Sequence, residues 1–209
     1  MIEMRDVSKQ LKRKPILRNI SETFESGTIY GIFGRNGSGK TMLLRALAGL
    51  MVPTEGEIFI NGKQLHKDVS FPPNAGVIIE HMELLPQYDA FTNLRILSKI
   101  NKTASTEDII QAIERVGLDP YSKLKVKKFS LGMKQRLNIA QAIFEKPDLL
   151  LLDEPTNAID ENGISLVHQV FMEEKERGAT LLIASHHQED IAPLCDVRLR
   201  MAEGQLFHE

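Results

Sequence analysis

Apolar residues change their spacing along this chain in a way that separates strands from helices. Residues 2–7 and 16–24 are expected as strands joined by the basic turn LKRKP at 11–15. The run TIYGIF at 28–33 is apolar and bounded by Gly27 and Gly34, which predicts a buried strand. Leu43, Leu44, Leu47 and Leu50 then recur at helical spacing, and Gly49 with Pro53 closes that helix. EIFI at 57–60, followed by Asn61-Gly62, predicts a strand entering a hairpin, and residues 76–80 form another short apolar strand. From about 81 to 128 strand signals disappear, while Ile109, Ile110, Ile113, Val116 and Leu118 follow helical spacing, so a helical insert is expected. A helix at roughly 131–145 stops before Pro147. Strand LLLLD (149–153), a helix near 161–177, strand ATLLIA (179–184) and a short helix then alternate, ending in a hairpin near 197–208.

Alternating apolar strands and helices predict an α/β fold with a mostly parallel, helix-covered core sheet. The expected organisation is a single domain over 1–209, with a helical subdomain of approximately 81–145 inserted in the core. Composition narrows the class. A 42% hydrophobic and 26% charged content is ordinary for a soluble globular chain. The formal net charge of −2 supplies no basic field for nucleic acid, so no nucleic-acid partner is expected. The longest stretch without Asp, Glu, Lys or Arg is 11 residues, whereas a membrane-spanning helix needs about 20 mostly apolar ones, so no span is expected. MIEMRDVSKQ carries acids early and has no apolar core, unlike a secretory signal. One cysteine, Cys195, allows no internal disulfide and fits a reducing cytosol as a small buried hydrophobe.

The sharpest chemical signal is Gly34-Arg35-Asn36-Gly37-Ser38-Gly39-Lys40-Thr41, which fills G-x-x-x-x-G-K-[ST] between a predicted strand and a predicted helix beginning near Met42. Glycines let the backbone wrap a phosphate chain, and the N–H groups at the helix start attract its charge. Lys40 is expected to reach the β- and γ-phosphates, and the Thr41 hydroxyl to ligate Mg²⁺. In LLLLDEP (149–155), a buried strand ends in Asp153 at the carboxyl edge of the sheet, where such sheets bind ligands. Asp153 suits a Mg²⁺ contact and Glu154 suits polarising the attacking water. Ser185-His186 follows a third apolar strand at a similar edge, where His186 can contact the γ-phosphate or orient the water, whereas His187 is expected in solvent. Lysines 123, 125, 127 and 128 are read as a solvated face.

Phe129-Ser130-Leu131-Gly132-Met133-Lys134-Gln135-Arg136 alone is a helix start with Ser130 as N-cap. In order with the other three motifs it resembles, along the whole chain, the nucleotide-binding subunit of ATP-binding cassette (ABC) transporters. The S-L-G-M-K-Q-R run is similar to that family's signature, in the form found among bacterial drug and peptide exporters. Asn157-Ala158-Ile159-Asp160 resembles its D-loop, and His186 its switch histidine. The resemblance implies a P-loop NTPase core with an N-terminal antiparallel β subdomain. It implies a head-to-tail pair of cassettes bound to ATP and Mg²⁺, in which Ser130, Gly132 and Met133 of one copy meet the nucleotide held by Lys40 of the other. Two positions depart from the family: Leu11 stands where an aromatic ring usually stacks on adenine, and Glu80 where a glutamine usually lies near Mg²⁺. Leu11 is expected to leave base selectivity weak unless Tyr30 or another ring substitutes, and Glu80 is expected to add charge at the metal.

The resemblance further implies an ATPase that powers export of a drug, peptide or similar substrate through a separate transmembrane subunit. Such a protein sits in the cytoplasm, peripheral to the inner face of the membrane. The alternatives are a soluble ABC ATPase acting on another macromolecular complex and a catalytically weak nucleotide sensor. Lys40, Asp153, Glu154 and His186 argue against the second of these.

Overall fold

The computed structural model describes residues 1–80 and 84–209, so the expected start of the helical insert at 81 lies outside the described residues. Two sheets and a helical layer organise the chain. β1 (Ile2–Leu11) and β2 (Lys14–Phe24) pair antiparallel, β4 (Glu55–Ile60) lies on the other side of β1, and β5 (Lys63–Gln64) closes a hairpin with β4. This four-stranded sheet is the N-terminal antiparallel unit that the family resemblance implies. Its first two strands run further than expected. Lys12 and Arg13 adopt φ values of 46° and 65°, so two left-handed residues make the turn that the sequence had spread over five.

The second sheet has the order β10-β9-β3-β8-β7-β6. It contains β3 (Ile29–Phe33), β6 (Ala75–Ile78), β7 (Leu149–Asp153), β8 (Thr180–Ser185), β9 (Val197–Ala202) and β10 (Gln205–His208). All neighbours run parallel except β10, which pairs antiparallel with β9. A parallel sheet is buried on both faces, which is why its strands read as continuous apolar runs. In β7, Leu150 and Leu152 join one core, while Leu149 and Leu151 join the other. The second of these cores packs against the antiparallel sheet and helix α1 (Lys40–Leu47).

The first core is covered by α2 (Ala90–Asn101), α3 (Thr106–Arg115), α4 (Leu131–Ile143) and α5 (Glu161–Glu176). Helix α2 was not singled out from the sequence. Asp89 caps it by accepting from Thr92 N–H at 2.8 Å, and only Ala90, Asn93 and Leu94 are buried, so its apolar stripe is narrow. Helix α3 opens with a reciprocal capping box between Ser105 and Asp108. Close packing of α4 on the sheet edge depends on Gly76, because a Cβ there would lie 2.0 Å from the Ala142 carbonyl oxygen. A short helix, α6 (Gln188–Ile191), follows β8.

Candidate nucleotide site

Register alone brings three distant motifs to one edge. Phe33 of β3 lies beside Ser185 of β8, and Ala184 of β8 lies beside Asp153 of β7. Neighbouring strands are about 4.8 Å apart, so the residues after Phe33, Asp153 and Ser185 emerge side by side. Those residues are Gly34, Glu154 and His186. The strand order 3-8-7 differs from the order in the chain, and the helical crossovers make that rearrangement.

The phosphate loop runs from Gly34 into α1. Gly34, Gly37 and Gly39 have φ values of 159°, 79° and 113°. At Gly34 the requirement is also steric, since a Cβ would sit 2.3 Å from the Met201 carbonyl oxygen. The turn between β9 and β10 braces the loop from outside, with Gly204 N–H donating to the Ser38 carbonyl at 3.0 Å. Lys40 is only 6% exposed, and its ammonium donates to the Gly34 carbonyl at 2.7 Å. Ser38 Oγ is buried and has no hydrogen-bond partner among the described residues. A buried, unpaired hydroxyl beside a buried cation, in a loop rich in left-handed glycines, is the donor set that a phosphate chain satisfies. Met42 follows in the first turn of α1 and packs against the second core.

Thr41 and Asp153 meet directly, the Thr41 hydroxyl donating to Asp153 Oδ2 at 2.6 Å. Burial pushes the Asp153 carboxyl above its ordinary value. The Thr41 hydrogen bond works against that shift, and the nearby Glu154 charge adds to it. A hydroxyl and a carboxylate side by side at a phosphate loop fit Mg²⁺, which takes one or two protein oxygens and completes its shell with phosphate and water.

Glu154 is the most constrained residue of the site. It sits at φ 50°, a left-handed conformation costing a non-glycine residue about 1–3 kcal/mol unless its surroundings fix it. Here they do. Its N–H donates to the Ala184 carbonyl at 2.8 Å, and Gln135 Nε2 donates to its own carbonyl at 3.3 Å. Its carboxylate accepts from His186 N–H at 3.0 Å and from the Ser185 hydroxyl at 3.2 Å, and it lies 2.7 Å from His186 Nδ1. Lys40 Nζ stands 3.8 Å from the same carboxylate. Lys40, Thr41, Asp153, Glu154 and His186 therefore form one connected cluster, as the motifs suggested. Ser185 and Gln135 belong to it as well. Sequence reasoning had Ser185 only as the residue before His186, and Gln135 only as part of the signature. His187 is exposed, as expected.

Three other positions fall differently. Glu80, two residues beyond β6, lies at the same sheet edge with φ 59°, but its carboxylate pairs with Arg45 of α1 at 2.8 Å and is more than half exposed. Leu11 ends β1 at the tip of its hairpin and is 45% exposed, and the Ile16 carbonyl of the partner strand β2 lies against Gly39 of the loop. Tyr30 offers no ring to a base, because it is 4% exposed, stacks edge-on against Phe24 and accepts a hydrogen bond from Glu25 N–H at 2.7 Å. The signature stands apart from the loop. Ser130 caps α4 by accepting from Met133 N–H at 3.1 Å, and Leu131 is 71% exposed. Among the described residues no hydrogen bond joins residues 130–133 to residues 34–41. Lysines 123, 125, 127 and 128 are all exposed.

Residues 17–157 match the model of the ABC transporter family. The chain is 67% identical, over 99% of its length and 94% of the relative, to an uncharacterized ABC transporter ATP-binding protein, YybJ, of Bacillus subtilis (strain 168). It belongs to the ABC transporter family. As a cassette of that family it binds ATP and is an ATPase. It is also 38% identical to the bacitracin transport ATP-binding protein BcrA of Bacillus licheniformis, covering all of this chain and 69% of that one. With the lantibiotic transport ATP-binding protein SrtF of Streptococcus pyogenes it shares 33% identity, over 100% of this chain and 90% of the relative. Among solved structures, a dimeric bacterial ABC transporter cassette superposes with a TM-score of 0.89 at 23% identity, covering 99% of this chain and 96% of that one. These likenesses establish the cassette fold.

Proposed function

We propose that this cassette is the motor subunit of an exporter, hydrolysing Mg²⁺-ATP at a site completed by a second cassette and driving a separate membrane subunit. The observation that carries this reading is the separation just described. Lys40, Thr41–Asp153 and Glu154–His186 are gathered at one sheet edge, while Ser130 and Leu131 are exposed and, among the described residues, make no hydrogen bond to the phosphate loop. The whole chain, with its helical insert, acts as one nucleotide-binding unit. Bound Mg²⁺ would be held by Thr41 and Asp153, and it supplies charge neutralisation for the phosphates. Lys40 and the loop N–H groups position the β- and γ-phosphates. Glu154 orients and polarises the attacking water, and His186, through its Nδ1, holds the Glu154 carboxylate in place. Leu11 offers the base an aliphatic contact. Glu80, tied to Arg45, reaches the metal only if that ion pair opens.

Relatives named for lantibiotic and bacitracin transport support a peptide-like cargo. No described helix is long and apolar enough to cross a membrane. The transporter names of the relatives support a separate membrane subunit, with the cassette at its cytoplasmic face. The test is Glu154→Gln. ATPase activity is expected to fall roughly 10²–10⁴-fold with ATP binding retained. Near-normal turnover by the purified variant removes Glu154 from the water-polarising role.

A further inference from the structure

We propose that Gln135 is a positioning residue that ties the main chain at Glu154 to the first turn of α4 and so links the two sites of a cassette pair. The inference rests on the reading above, in which Glu154 polarises the water and Ser130 and Gly132 serve the nucleotide of the opposite copy. Gln135 Nε2 donates to two consecutive carbonyls, those of Glu154 at 3.3 Å and Pro155 at 3.0 Å. Among the described residues, no other side chain of α4 hydrogen-bonds the segment 154–160. Gln135 is one helical turn beyond Leu131, so it moves with the signature as part of one rigid element.

The contact is reinforced on both sides. A Cβ at Gly132 would lie 2.7 Å from the Ala158 carbonyl oxygen, so the first turn of α4 rests on the D-loop backbone. Arg136 Nη1 donates to the carbonyls of Val116 and Gly117 at 3.0 Å each, fixing the same turn to the end of α3. A displacement of that turn therefore reaches the chain at Glu154 through the Gln135 amide. The Glu154 carboxylate is held independently by Ser185 and His186, so the amide governs where the residue's backbone sits and not its charge. Among the described residues no hydrogen bond joins Gln135 to the phosphate loop. Its removal is expected to spare ATP binding.

The test compares Gln135→Leu, which keeps the bulk and removes the donor, with Gln135→Lys, which restores a donor of similar reach. Each full-length variant is assayed for steady-state ATPase across ATP concentrations, for direct nucleotide binding and for melting temperature. Gln135→Leu is expected to lose roughly 10–10²-fold in kcat, as a small misplacement of a catalytic group does. Its ATP Kd should stay within about twofold of wild type, because the lost interaction is not made to bound substrate. The Hill coefficient for ATP should fall toward one, and Gln135→Lys should recover most of the kcat. Unchanged kcat and Hill coefficient in Gln135→Leu overturn the proposal. So does an equal loss in both variants that tracks a lowered melting temperature, which marks a merely structural contact. Glu154→Gln run alongside separates the two levels: if it retains turnover, the assignment of the base has failed, whatever Gln135 does.

Discussion

Asp153 shows most directly how a single residue is held against its own preference. Burial raises its carboxyl pKa above the ordinary value, so the ionised form costs folding stability at neutral pH. That cost disappears as pH falls through the raised folded value. Asp153→Asn keeps the Thr41 contact and removes the charge, so it is expected to melt above wild type at pH 7 without nucleotide and to lose ATPase activity. Melting curves at descending pH check the sign: the advantage should shrink as wild-type Asp153 protonates, and a lower melting temperature for the variant at pH 7 contradicts the burial argument. The base is the second residue-scale question. Leu11 carries no ring, and the structure removes Tyr30 as a substitute because its ring is inside the core. Stacking a base on an aromatic side chain is worth about 1–3 kcal/mol, so its loss should leave ATP only weakly favoured over GTP. Competition binding of the two measures this, and a strong adenine preference would place the base elsewhere. The chemical residues were legible because their spacing is set by the phosphate chain they wrap. The left-handed backbone of Glu154 and the grip of Ser185 and Gln135 were not, since they depend on strands that meet only after folding.

At the scale of elements, the apolar runs for β3, β7 and β8 were readable because a sheet buried on both faces leaves no polar alternation to confuse them. Helix α4 was readable for a different reason, with Ser130 capping its start and Pro147 following its end. Helix α2 was not, because most of its surface meets solvent and its buried stripe is only a few residues wide. The β1–β2 turn was misjudged in length because non-glycine residues at Lys12 and Arg13 make it. Gly76 is the element-scale test. A methyl group there meets the Ala142 backbone, which cannot rotate away as a side chain would. Gly76→Ala should therefore push α4 off the β6 edge, at a cost of about 1–3 kcal/mol, the usual range for overpacking. Chemical denaturation reads the loss. An unchanged midpoint means that the α4–β6 interface has slack.

At the scale of the whole molecule, the phosphate loop and the signature belong to the starts of two different helices, α1 and α4. In the proposed function the loop edge contributes the cation Lys40, the Mg²⁺ ligands Thr41 and Asp153 and the water-orienting carboxylate Glu154. The signature at the start of α4 has an exposed Leu131, and among the described residues its hydrogen bonds to that edge are those of Gln135 to the Glu154 and Pro155 carbonyls. Under the proposed function, a second copy in head-to-tail orientation would supply what each surface lacks and so couple nucleotide binding to association. Strand order was the part of this arrangement that the sequence could not supply, because the 3-8-7 neighbourhood is created by crossovers. The most direct measurement is the mass of purified Glu154→Gln by light scattering behind size exclusion, with and without Mg²⁺-ATP. A monomer without nucleotide that becomes a dimer with it is the expected result, and Gly132→Asp in the same background should abolish the shift. A monomer under both conditions at high protein concentration contradicts a site shared between two copies of this chain.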